Sequence, residues 1–428
     1  MARSPEPADI DSYYQATRNR ELSGDRFESG QHFDVGIIGG GLSGLNAALE
    51  LSARGYRVGI FEAHRIGWGA SGRSGGQIIS GFGCDITTLE RHLGLSRAKT
   101  LWQLSVHALD DLKQQVARYD IHCDLAAGHM TVAHNLKVAH ELSDYVDRLT
   151  QVYEYPASYL DRAALTDRIA SSRYHGALLD PLSGHLHPLN YTLGVAAAAH
   201  AGGVKLFEKS AVRQIIRGKP VVLKFDSGDI KCDHVLVCAN AYLEPLEADL
   251  GRHVVPVGSH IVATETLDLN VADGLIAERM AVADTRRVLD YYRLSADNRL
   301  LFGGRVGLLE PDRAQLVKVM SHRISRVFPD IKGVRIDYAW GGHVAITRTH
   351  APHLGRLAQN IFFAQGYSGH GMVLSHLAGR ILAEAVDGSV ANMDLFEAIP
   401  NPARWLPRVL RRPALAIMLT WFKLLDRI

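Results

Sequence analysis

Cysteine is scarce in this chain: Cys84, Cys123, Cys232 and Cys238 form no CxxC pair and no regular ladder. That excludes a disulfide framework and reads as buried or free thiols of a reducing compartment. No run of 18 apolar residues is present, so no spanning helix is expected. The opening MARSPEPADIDSYYQATRN lacks the apolar core of a secretory signal, and the expectation is a soluble, cytoplasmic protein. An excess of one charge is missing too. Lys and Arg number 47 against 45 Asp and Glu, a net +2, and no basic stripe interleaves with aromatics, which argues against nucleic acid as a partner. There is no HExxH, no Walker A sequence and no nucleophile elbow. His185-x-His187 would lie on one face of a strand, but no carboxylate or cysteine at ligand spacing joins it, so no metal is expected.

What is present is ordinary for a globular protein, with 47% hydrophobic and 21% charged residues, and 428 residues suffice for two domains. One stretch organises the rest: FDVGIIGGGLSGLNAALELSARGYRVGIFE, Phe33 to Glu62. It reads as a strand, a glycine turn, a helix with Leu42, Leu45 and Leu49 on one face, and a second strand ending on Glu62. Gly39, Gly41 and Gly44 fit G-x-G-x-x-G: a tight turn, close backbone approach to a pyrophosphate, and close helix-on-strand packing. The positive helix end would hold the phosphates. Glu62, 23 residues after Gly39, stands where a carboxylate meets a ribose.

The connection AHRIGWGASGRSGGQIISGF, residues 63–82, is glycine-rich and shows no periodicity. Long structureless connections inside compact domains are usually functional. Ser71, Gly72, Arg73 and Ser74 would wrap the far side of a dinucleotide, Arg73 offsetting phosphate charge; the alternative is a surface loop. Helices are expected over 86–118 and 136–153, with the strand GHMTVAH between them. From Pro188 a helix leads to the strands VKLFE, AVRQIIR, PVVLKF and DHVLVCANAY, the last joining the first sheet. Residues 253–265, 289–295 and 299–305 alternate as an antiparallel sheet with one face toward a pocket. A helix over 311–328 follows. A second strand and glycine turn, NIFFAQGYSGHG, opens another helix whose positive end could face the other end of the cofactor, or is a plain turn. Residues 1–32 read as an extended arm anchored by Tyr13 and Tyr14. The tail RRPALAIMLTWFKLLDRI reads as a terminal helix on the body, with a membrane-surface helix as the alternative.

Together RIGWGASGRSGGQ, GALLDPLSGHLHPLN, LDYYRLSADNRLLFGG and QGYSGHG resemble the D-amino-acid oxidase superfamily of FAD-dependent amine oxidoreductases, and within it the gamma-glutamylputrescine and gamma-glutamylpolyamine oxidases. The resemblance runs from about Tyr13 to the tail. It implies an α/β fold: a Rossmann-like FAD-binding domain (33–90, 160–250 and 342–392) and a discontinuous α+β substrate domain on a mostly antiparallel sheet (91–159 and 251–341), between the arm (1–32) and a tail (393–428). It implies FAD held by Gly39, Gly41, Ser43, Gly44, Glu62, Ala63, Ser71, Gly72, Arg73, Gly76 and Gln77. Val212, on the strand AVRQIIR, would contact the adenine side, and Gly366, Ser368, Gly369, His370 and Gly371 would lie beside the flavin ring.

Two departures stand out. No cysteine follows Cys238, so the late cysteine that fixes FAD covalently in some relatives is missing and noncovalent FAD is expected. Between Lys231 and Lys318 there is no lysine, whereas some relatives use one over the flavin to help oxygen react. The expected chemistry is hydride transfer from an amine to flavin, then imine, aldehyde and hydrogen peroxide, with an FAD dehydrogenase using a quinone or carrier as the alternative and a non-enzymatic nucleotide binder as a third reading. Tyr291, Tyr292, Trp340 and Tyr367 are candidate aromatic walls that lower the amine's pKa by desolvation. His260, His343 and His370 are candidates to handle protons near the ring, and Arg293, Arg305 or Arg348 to meet a substrate carboxylate.

Overall fold

The computed structural model describes residues 10–243, 246–304 and 311–403. The strand His32–Ile38 pairs in parallel with Val58–Phe61 on one side and with Gly228–Val237 on the other. The chain therefore leaves this strand in one direction and returns later on the opposite side, which opens a crevice at the strands' carboxyl ends. The eight-stranded sheet runs His353–Ala358, Ile361–Gln365, Gly228–Val237, His32–Ile38, Val58–Phe61, Lys205–Phe207, with two further strands paired beside Gly228–Val237. Two apolar helices, Leu42–Ala53 and Gly371–Val386, cross on one face. Their approach is so close that a β-carbon on Gly379 would lie 2.7 Å from the amide nitrogen of Ala47.

The second sheet has nine strands and a main path of Ile336–Ile346, Val255–Thr264, Leu300–Gly304, Asp290–Leu294, Ala281–Asp284, Ala126–Val132, Gly176–His185 and Gln77–Ile78. Its pairings are antiparallel except between Ala281–Asp284 and Ala126–Val132. Side chains alternate across it. Val262, Tyr292 and Phe302 pack outward on Leu316, Met320 and Ile324 of the helix Arg313–Val327. Ile261, Ala263, Leu301 and Trp340 pack inward, into the core shared with the first sheet.

Several sequence expectations need correction. The helix expected over 86–118 is two, Ile86–Leu93 and Leu95–Arg118, because Gly94 adopts a φ of 83° that breaks the run. The arm is not fully extended: Ser12 caps the helical turn Tyr13–Ala16, and both tyrosines are buried. The connection 63–82 holds a 3-10 turn, Ala70–Gly72, and the short strand Gln77–Ile78. Val212 lies between the strands Lys205–Phe207 and Gln214–Ile216 rather than on one. His185 ends a strand while His187 caps the helix Pro188–Ala201, so the two do not share a strand face. The strands Gln77–Ile78 and Gly176–His185 belong to the second sheet although they fall in the ranges expected for the first domain. The apolar tail from residue 404 and Arg305 lie outside the described residues.

Candidate active site

The site is built around the first glycine turn. Gly39 takes a φ of 110°, and a β-carbon there would sit 2.8 Å from the carbonyl oxygen of Cys238. One on Gly44 would lie 2.2 Å from the Gly39 oxygen and 3.0 Å from Ile37. The helix Leu42–Ala53 follows Gly41, which has no side chain of its own to cap it, and its positive end stands at the mouth of the crevice. Glu62 accepts hydrogen bonds from the Gly40 amide at 2.7 Å and the His64 amide at 2.9 Å. Desolvation raises its pKa above the usual carboxylate value, and those amides oppose the rise. Ala63, next to it, is exposed.

The glycine connection folds over this turn. Ser71 Oγ accepts from the Leu42 amide at 2.9 Å, and Gly72 packs on the Gly67 carbonyl. The Arg73 guanidinium lies 4.0 Å from the centre of the Trp68 ring and donates from Nε to the Trp68 carbonyl at 2.5 Å. Trp68 stacks on His64, with centroids 3.7 Å apart. Gly76, with φ 71°, packs on the Leu186 carbonyl, and Gln77 donates to the Val282 carbonyl at 3.0 Å. Arg293 is buried and donates to the carbonyls of Gly75 and Leu186 and to the Tyr14 hydroxyl. It therefore anchors this connection and the arm, which corrects its candidacy as a substrate-carboxylate ligand; Arg348 is exposed.

The second glycine turn meets the first. Tyr367 and Ser43 share a buried hydroxyl contact of 2.6 Å. Gly366 takes φ 76° and donates to Asn240 Oδ1 at 2.9 Å, and Ser368 takes φ 52° with its hydroxyl accepting from the Thr347 amide. His370 precedes the helix Gly371–Val386. Burial, then His129 and His350, lowers its pKa to about 4, and its buried Nδ1 has no partner among the described residues. His129 is held near 4 by burial as well.

Strand register sorts the remaining candidates. Ile261 faces Trp340 and Gly303, and Gly303 faces Tyr291, so these share the inner face. Trp340 donates from Nε1 to the Arg73 carbonyl at 3.0 Å, which places it against the glycine connection. Tyr291 also lies there: a β-carbon on Gly75 would be 2.7 Å from its ring. Tyr292 is a core residue instead, stacked on Phe302 at 5.3 Å and bonded to the Tyr174 hydroxyl at 3.0 Å on the outer face. His260 has the outward register of Val262 and fills the space a Gly341 side chain would need. Both corrections have one cause: a strand residue next to an inward one points outward. His343 shares that register and meets Tyr242 edge to face at 5.9 Å. Sequence reasoning missed Trp68, Ser259 and Asn240. Only Trp68, inside the glycine connection, carried a local signal.

A positive helix end, a glycine cradle that side chains would fill, and a half-buried carboxylate at the end of the second strand together fit a dinucleotide. The family model for FAD-dependent oxidoreductases of the DAO type matches residues 34–385. This chain belongs to the DAO family. It is 38% identical over 420 residues to the gamma-glutamylputrescine oxidoreductase of Escherichia coli K12, covering 97% of this chain and 98% of that protein. It is 38% identical to a probable oxidoreductase OrdL of Haemophilus influenzae, covering 98% and 97%. The crystal structure of glycine oxidase from Geobacillus kaustophilus superposes with a TM-score of 0.72 at 22% identity, covering 88% of this chain and all of that one. This DAO-family protein is thus an FAD-dependent oxidoreductase, and its two-sheet architecture is the family's. Among the described residues no His, Cys, Asp or Glu group could hold a metal ion, and no helix is long and apolar enough to cross a membrane.

Proposed function

We propose that this enzyme oxidises the primary amine of gamma-glutamylputrescine or a related gamma-glutamylated polyamine. The amine, oxygen and water give aldehyde, ammonia and hydrogen peroxide, with noncovalent FAD as cofactor. The observation that carries the substrate reading is the 38% identity, over 97% of the chain, to a protein named for that substrate. The four free thiols suit a cytoplasmic setting.

When bound, FAD supplies a two-electron acceptor for the substrate's C–H bond. Gly39, Gly41, Ser43 and Gly44 would hold its pyrophosphate, Glu62 its ribose, and the connection through Arg73, Gly76 and Gln77 its far side. The inner-face rings of Trp340 and Tyr291 exclude water, which favours the uncharged amine because an ammonium loses hydration there. His370, neutral at physiological pH, can donate or accept a hydrogen bond at its buried Nδ1, depending on the tautomer.

Anaerobic addition of gamma-glutamylputrescine to the yellow holoenzyme tests the reading. Bleaching of the flavin band at about 450 nm is expected; a band that persists refutes the substrate. Readmitting air then tests oxygen. The lysine-free stretch from Lys231 to Lys318 favours a second reading for that half-reaction only, in which a quinone or carrier takes the electrons. Slow recolouring in air with rapid recolouring by a soluble quinone would select it.

A further inference from the structure

On the inner face of the second sheet, Tyr291 and Ser259 place their hydroxyls 3.1 Å apart, although two strand boundaries separate them. Glycines make this contact. A β-carbon on Gly303 would lie 2.2 Å from the Tyr291 ring, so the ring lies across that strand, and the same Cε2 edge comes up to Gly75 of the glycine connection. Gly342 stands opposite Ser259, and among the described residues a β-carbon there would meet only the Arg73 stem, at 3.5 Å or more. Neither Tyr291 nor Ser259 is fully buried. The result is a hydroxyl pair on a glycine-thinned wall next to the cofactor connection.

Charge decides what this wall can hold. A free diamine carries a second ammonium, which needs a counter-charge once desolvated. Among the described residues of this face and the adjoining turn, the carboxylates are already committed. Asp180, across from His129, accepts from the Tyr155 hydroxyl at 2.7 Å, the Ser183 hydroxyl at 2.6 Å and the amides of Leu182 and Ser183 at 3.0 Å. Glu62 is held by the Gly40 and His64 amides. The buried imidazoles of His129 and His185 are neutral. A neutral amide has no such need. Hydroxyls both donate and accept, so a pair of them matches an amide's C=O and N–H.

We infer that Tyr291 and Ser259 recognise the amide of a mono-acylated diamine and thereby select it over a free diamine or an alkylamine. The inference rests on the amine-oxidation reading above.

The test compares N-acetylputrescine with heptylamine, which replaces the amide by two methylenes at equal chain length, and includes gamma-glutamylputrescine and putrescine. In the wild-type holoenzyme kcat/KM is expected to be higher for N-acetylputrescine than for heptylamine or putrescine. Tyr291→Phe and Ser259→Ala should each shrink the N-acetylputrescine to heptylamine ratio about fivefold, the loss of one neutral hydrogen bond. The change should lie in KM, with Ser259→Thr restoring it. Ser259→Ala removes one hydroxyl oxygen only and keeps the test usable if Tyr291→Phe fails to fold. A ratio unchanged in both variants, or equal losses on both amines, overturns the assignment. A wild-type enzyme reduced by heptylamine as readily as by N-acetylputrescine overturns it while leaving amine oxidation standing. Failure of every amine to bleach the flavin overturns the parent reading and this inference with it.

Discussion

Gly44→Ala and Gly274→Ala are the same chemical change in two helices, and the structure gives them opposite signs. At Gly44 the added methyl would stand 2.2 Å from the Gly39 carbonyl oxygen and 3.0 Å from Ile37. Relieving the first contact to ordinary van der Waals distance requires the helix to move by ~1 Å from its strand. Alanine gains about 1 kcal/mol of helix propensity over glycine, while overpacking against backbone costs about 1 to 3 kcal/mol. The net is destabilisation of up to about 2 kcal/mol. A displaced helix start also loosens its amides from the pyrophosphate, each charge-assisted bond being worth about 1.5 to 3 kcal/mol, so the Kd for FAD should rise on the order of 10- to 100-fold. At Gly274, on the helix Leu269–Leu275, nothing lies within 4 Å of the added methyl. Alanine there should stabilise by about 0.5 to 1 kcal/mol through the unfolded chain. The assay is thermal unfolding with and without FAD, plus FAD titration of the apoenzyme by flavin fluorescence. In a chain of this size 1 kcal/mol moves Tm by only about 1 °C, so the FAD titration is the sharper readout. A Gly44→Ala protein that binds FAD as tightly as wild type would falsify the reading of this turn as a pyrophosphate cradle.

Three further outcomes can be checked. Tyr367→Phe should cost about 0.5 to 1.5 kcal/mol in chemical denaturation, because the Ser43 hydroxyl loses its 2.6 Å buried partner; an unchanged midpoint would sink that. Burial lowers His129 and His376 to about 4 and His185 and His187 to about 3 in the folded state. The unfolded chain then takes up protons below its pKa of about 6.5 that the folded one refuses, so stability falls as pH drops, by about 1 kcal/mol per histidine between pH 7.5 and 5.5. A denaturation midpoint flat over that window would contradict it. Acid precipitation should leave all the flavin in the supernatant, since Cys84, Cys123, Cys232 and Cys238 are the chain's whole cysteine set and none follows residue 238; yellow pellets would refute noncovalent binding.

The first βαβ unit was legible because its signals are local. An apolar run, three glycines at fixed spacing and a carboxylate one strand later specify a strand, a turn and a helix with no long-range information, and Gly39, Gly44 and Glu62 stand where that pattern puts them. The two-sheet class was also accessible, since one sheet reads as buried apolar runs and the other as alternation. The face toward which each alternating residue points is a different kind of fact. Tyr291 and Tyr292 are neighbours in sequence, yet the first lies against Gly75 and the second against Phe302, because pairing register and the helix Arg313–Val327 decide which side is core. The same holds for His260, whose outward place follows from pairing with Gly304 and Gly341 some 40 to 80 residues away. Arg293 reads as a free cation in sequence and becomes an anchor only when Gly75, Leu186 and Tyr14 converge on it. Local spacing alone determined the cradle; the wall above it, built by strands distant in the chain, was decided by tertiary pairing.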